Sequence, residues 1–134
     1  VYILGGERRW IPTPPLITEQ VLAAVPERHR GSIYKTYLRQ GQTEYWQAQP
    51  LMILDEWCAY THGGLVRKEL NLAIRSETVR HCATFAHYAK ALHQLSKGCE
   101  GYDPTELTAF CRWNLERCRT IEPDWDTLCD VTFD

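Results

Sequence analysis

Between Glu77 and Lys97 the residues Cys82, Phe85, Ala86, Ala89 and Leu92 recur at helical spacing and form one apolar stripe. Ser76 precedes that run as an N-cap and Gly98 follows it as a stop. A second helix opens at "DPTEL": Asp103 is placed to cap, Pro104 suits the first position, and Glu106 stands where a capping box needs an acid. Leu107, Phe110, Cys111, Leu115 and Cys118 mark its inward face, and Pro123 closes the helical region.

Upstream, Leu51 to His62 is apolar nearly all round, as the central helix of a bundle is. Pro50 is tolerated at its start, and Gly63-Gly64 is expected to end it. Val66, Glu69, Leu70 and Ala73 then suit a further short helix within Leu65 to Ile74. Thr18 is placed to cap a short helix reaching Val25, with Ile17 and Leu22 as a hydrophobic staple. Ser32 is the next cap candidate, and Ile33, Tyr34, Tyr37, Leu38, Tyr45 and Trp46 follow at helical spacing, weakened at Gly41. "RRWIPTPPLIT" is extended, since its prolines fix φ and remove backbone donors. "VYILGG" is a strand-like run followed by a turn, and a lone strand there calls for a partner. The expected fold is a mainly α, compact bundle of about five helices with a short N-terminal strand-like segment. Residues 1–134 are expected to form one domain, and an opening inside such an element is expected of a processed mature protein or of a piece of a longer parent chain.

Composition narrows the function classes. A chain of 134 residues with 44% hydrophobic and 24% charged positions can bury a sizeable core. A net charge of -2 gives no general attraction to nucleic acid or anionic lipid. No apolar run approaches the roughly 18 residues of a membrane span. No basic residue follows Arg119, whereas Glu122, Asp124, Asp126, Asp130 and Asp134 do, so a solvated acidic C-terminus is expected. Six cysteines with no CxxC pair argue for at least one disulfide, with Cys99 and Cys129 best placed to bridge, and for an extracellular or periplasmic setting.

The candidate chemistry lies in "ILDEWCAYTHGG", where Asp55 and Glu56 adjoin inside the most apolar segment. On a helix, Glu56 and Tyr60 share one face, while Asp55 shares another with Cys58 and His62. The two carboxylates diverge by about 100° and cannot act as one dyad. They could pair with an arginine such as Arg39 or Arg112, serve as ligand, acid or base in a cleft, or face water. Asp55, Glu56 and Tyr60 are therefore the catalytic candidates. Tyr45, Trp46, Trp57 and His62 are candidate binding residues, because tyrosine and tryptophan offer broad apolar faces with a polar handle.

"LDEWCAY" resembles the later helix of zinc metallopeptidases of the gluzincin type, over about a dozen residues. That resemblance implies Glu56 as a zinc ligand one turn before Tyr60. The HExxH helix that supplies the other ligands is absent from this chain and would have to lie upstream. His81, His87 and His93 are spaced by about 240° per step and cannot chelate one ion together. His29 in "PERHRG" reads as exposed turn, and His81 as a surface partner of Glu77 one turn before it. No GxSxG, phosphate loop or EF-hand is present. The expected role is binding or structural, centred on the 51–62 helix and needing no cofactor, with a protein, peptide or carbohydrate partner. The alternative is a zinc-dependent hydrolase fragment built on Glu56.

Overall fold

In the computed structural model, which describes residues 1–32, 34 and 48–134, the apolar stripes close into a three-helix core. Its members are α2 (Met52–Glu69), α3 (Ser76–Lys97) and α4 (Thr105–Ile121), each packed on the other two. A short α1 (Thr18–Ala24) lies on α3, and α5 (Trp125–Leu128) follows α4. The mainly α bundle thus has five α-helices among the described residues. Phe85, Tyr88 and Leu92 of α3, Leu107 and Cys111 of α4, and Ile53 and Trp57 of α2 are fully enclosed.

The strand-like start finds its partner within the chain. Tyr2–Leu4 (β1) pairs antiparallel with Glu7–Arg9 (β2), Tyr2 opposite Arg9. The two-residue turn needs φ of 58° at Gly5 and 84° at Gly6, which glycine alone adopts without strain. The hairpin docks on α4. Arg9 Nη2 lies 2.6 Å from Glu106 Oε1, Tyr2 Oη donates to the same carboxylate at 3.2 Å, and the Tyr2 ring stands edge-on to Phe110. Glu106 therefore holds the hairpin, and Asp103 serves the helix start by accepting from Thr105 N at 3.0 Å.

Gly63-Gly64 does not end the central helix. α2 runs on to Glu69, so the separate Leu65 to Ile74 helix does not exist. A Cβ on Gly64 would lie 2.8 Å from Ile121 Cδ1. That glycine permits the close approach of α2 to the end of α4. The stop falls at Asn71, whose φ of 54° turns the chain while Leu72 N donates back to Arg67 O at 2.8 Å. Asparagine is the non-glycine residue best suited to that conformation.

At the N-terminus of α1 the capping residue is Ile17, one before the expected Thr18. The Gln20 side chain accepts from Ile17 N at 2.9 Å. At the other end of the chain the acids are solvated as expected, but the backbone is not a free tail. Cys129, Val131 and Phe133 are buried and alternate with exposed Asp130, Thr132 and Asp134. Phe133 packs against Trp57 and His93, and Arg112 Nε donates to its carbonyl at 2.7 Å. The segment is an extended strap that closes the bottom of the core.

All six cysteines are unbonded thiols. Cys99 Sγ donates to Leu95 O at 3.3 Å, and Cys129 is enclosed by the core. The expected bridge is thus corrected, and with it goes the observation on which an oxidising compartment rested. Burial of small apolar thiols accounts for most of the cysteine count.

Candidate functional site

The residues singled out on α2 do not converge. Trp57 is fully buried against Phe110 and Phe133. Asp55 and His62 are exposed on the outer face, with Cys58 half-buried between them. Glu56 is half-buried. Among the described residues neither carboxylate forms an ion pair, and Arg112 is engaged with Phe133 instead. Burial raises both carboxyls above their ordinary range. The Asp55 charge adds to the rise at Glu56. Tyr60 leans edge-on against His81 at 4.8 Å and stacks on Phe85. Tyr45, Trp46 and Arg39 lie outside the described residues, as does most of the helix expected after Ser32.

The polar centre of α2 is a residue that hydrophobic patterning passes over. Thr61, fully buried, donates to Trp57 O at 2.8 Å and accepts from Asn114 Nδ2 at 3.1 Å. Asn114 Oδ1 accepts in turn from Arg117 Nη1, and the Arg117 guanidinium lies over the Trp113 ring. Cys82 and Cys118 flank the Thr61 hydroxyl at 3.8 and 3.5 Å. The hydrogen bond between the two thiols, then burial, push Cys118 far above the usual thiol range. The same bond lowers Cys82, and the buried polar cluster joins α2, α3 and α4.

A different set of groups does meet at a cavity. A 3-10 turn at Glu27–His29 leads to Gly31, whose φ of 63° folds the chain back onto α3. A Cβ there would lie 3.2 Å from Thr84 Oγ1, so only glycine brings the turn this close. Tyr88 Oη donates to Arg30 O, and Arg30 Nε donates to Val25 O at 3.0 Å, which pins the turn from both sides. Burial raises the Tyr88 phenol well above its ordinary value, so it remains a donor. The result is that the His29 ring lies flat on the His87 ring, with centroids 3.6 Å apart and planes 7° from parallel.

This stack borders a groove of about 290 Å³, lined by Arg28, His29, Val79, Arg80, Ala83, Thr84, His87 and Leu128 among others. A second cavity of about 190 Å³ shares Gly31, Arg80 and Thr84 with it and adds Ser32, Glu77 and His81. Tyr60 touches His81 at the edge of this second cavity. Arg28 Nε donates to His29 Nε2 at 3.1 Å, so that nitrogen is the acceptor. Burial, followed by the neighbouring His29, lowers His87 to about 4. Neither Arg28 nor Arg80 forms an ion pair among the described residues. Two unpaired guanidinium groups therefore face one groove with an apolar floor of Val79, Ala83 and Leu128.

Sequence spacing separated His81, His87 and His93 correctly, but it could not bring His29 to His87. The "RHRG" stretch, two arginines around a histidine before a glycine, was the only local trace of this site. His93 faces elsewhere, hydrogen-bonded to Thr108 Oγ1 at 2.8 Å. Among the described residues no three His, Cys, Asp or Glu side chains are grouped to hold a metal ion. No helix among them is long and apolar enough to cross a membrane. Comparison with known proteins finds no matching family model, no matching curated protein and no matching solved structure.

Proposed function

We propose that the chain is a small helical binding domain whose ligand enters the groove between the 27–32 turn and α3. One observation carries this proposal: Arg28, His29, Arg80 and His87 converge on a cavity with an apolar floor, while the carboxylates of α2 diverge. Concave, mostly apolar surfaces with a few convergent polar groups are the usual ligand sites of proteins. A volume of about 290 Å³ admits one peptide side chain, one sugar unit or another compact ligand. The role of α2 is then structural, through Trp57 and Thr61. Glu56 has no co-ligands among the described residues, and zinc forms no part of the proposed function.

A fragment screen followed by amide chemical shifts tests this. Hits should move Val79, Arg80, Ala83 and Thr84, and Ala83→Trp, which fills the groove, should abolish them while the spectrum stays dispersed. Shifts that cluster instead around Asp55, Ala59 and His62 would return the binding role to the outer face of α2.

A further inference from the structure

The groove combines three features that together select a ligand. Arg28 and Arg80 supply positive charge with no carboxylate partner among the described residues. Val79, Ala83 and Leu128 supply an apolar floor. The stacked imidazoles line the same groove and supply a proton acceptor bonded to Arg28. We propose, resting on the groove as the ligand site, that it takes a small organic anion with a compact apolar body, and that binding draws one proton into the His29–His87 stack.

The physical argument starts from the stack. Two imidazole rings 3.6 Å apart and nearly parallel can share one positive charge, but a second charge would face the first across van der Waals distance. With no ligand, even the first is opposed. Arg28 is bonded to His29, Arg80 lines the same groove, and Lys90 acts on His87 from α3 itself. From the C-terminal strap only Asp130 acts on His87 in the opposite sense. Glu77 belongs to the adjoining cavity, where it faces His81 at 3.8 Å. Arg28 and Lys90 oppose a charge on His87, and the bond from Arg28 occupies the lone pair of His29 Nε2.

An anion in the groove changes that balance. It offsets the guanidinium charges, so the first proton on the stack becomes favourable at a higher pH. The proton goes to His29 Nε2. There it breaks the bond from Arg28 Nε, and the released N–H can turn to the ligand. The bond lost inside the free protein is replaced by one or two charge-assisted bonds to the anion. By linkage, affinity must then rise as pH falls, by up to about tenfold per pH unit while a full proton is taken up.

Calorimetric titration with benzenesulfonate, whose own charge is constant over the range used, tests the coupling. Sulfate serves as the anion without the apolar body, and benzyl alcohol as the body without the charge. At about pH 5.5 benzenesulfonate should bind roughly tenfold or more tighter than at about pH 7.5, and runs in buffers of different ionisation enthalpy should show net proton uptake. Sulfate and benzyl alcohol should each bind more weakly, the latter with no pH dependence. His29→Gln keeps an acceptor for Arg28 but cannot be protonated, so it should flatten the pH dependence. The ring-proton NMR titration of the wild type reads the same property without a variant: the stack should take up one proton, not two, above about pH 4.

Benzenesulfonate binding that is independent of pH, without proton uptake, would overturn the coupling and leave the groove as a binding site. Two independent protonations of the free stack would do the same. Tight binding of benzyl alcohol in preference to the anion would overturn the ligand class. No perturbation of groove amides by any of the three compounds would overturn the groove itself, and the coupling with it.

Discussion

Replacing Gly64 by alanine adds one methyl group in the middle of α2, and its neighbour Gly63 provides a control in the same helical turn. Away from packing, Gly→Ala inside a helix stabilises by about 1 kcal/mol. At Gly63 a Cβ meets nothing within 4 Å, so Gly63→Ala should gain that full amount. At Gly64 the new methyl would sit 2.8 Å from Ile121 Cδ1, 3.1 Å from Cγ2 and 3.3 Å from Cγ1. Carbon atoms in contact prefer about 3.5–4.0 Å, so the overlap involves the branched body of Ile121 as well as its tip. Ile121 is only 5% exposed and cannot swing into water.

Overpacking of this kind costs about 1–3 kcal/mol. Set against the helical gain, Gly64→Ala should leave stability unchanged or lower it by up to about 2 kcal/mol. For a chain of this length 1 kcal/mol corresponds to a melting-temperature change of about 3–4 °C. Gly63→Ala should therefore raise the midpoint by about that much, with Gly64→Ala roughly 3–10 °C below it. Ile121→Val, which removes Cδ1, should restore part of the loss in the double variant, giving a favourable coupling in the cycle. Equal stabilisation by both alanines would refute the close approach of α2 to α4. Destabilisation by both would mean that the helix does end at the glycine pair.

Phe133→Ala should lower the unfolding free energy by about 3–5 kcal/mol in urea titration, because Phe133 is part of the core; a change near zero would show a free C-terminus. Glu56→Gln should leave stability within about 0.5 kcal/mol or raise it, since it removes a half-buried charge with no ion pair among the described residues, and a loss above about 2 kcal/mol would reveal a pairing contrary to this prediction. His87 is lowered to about 4 in the folded chain from an ordinary 6.5, so between those values the unfolded chain binds more protons. Its contribution to stability is complete above about pH 6.5 and is lost as pH falls toward 4, by about 1–2 kcal/mol once its partial exposure is allowed for. His87→Gln should flatten that limb of a pH–stability curve measured by urea titration, and an unchanged limb would contradict the assignment. Without reductant, denaturing alkylation followed by intact mass should add six adducts, and any smaller number would show a bridge.

Periodicity alone determined the bundle. The stripe of α3 and the capped start of α4 were legible because helices bury one face at fixed spacing, and that spacing is written in the chain. So was the divergence of Asp55 from Glu56, which follows from 100° per residue and no tertiary information. The glycine pair misled because a glycine that ends a helix and a glycine that lets two helices touch look the same locally. Only the position of Ile121 tells them apart. The C-terminal strap was hidden for a related reason. Its acids announced solvent, while the alternation of Cys129, Val131 and Phe133 needed the surface of Trp57 and His93 to give it an inside.

The groove belongs wholly to the tertiary structure. His29 and His87 are far apart in sequence, and neither has a spacing that points to the other. They meet because Gly31 turns the chain with a positive φ and, lacking a Cβ, fits close against Thr84. A contact set by one turn and one helix face carries no period, and so leaves almost no mark in the sequence that folds into it.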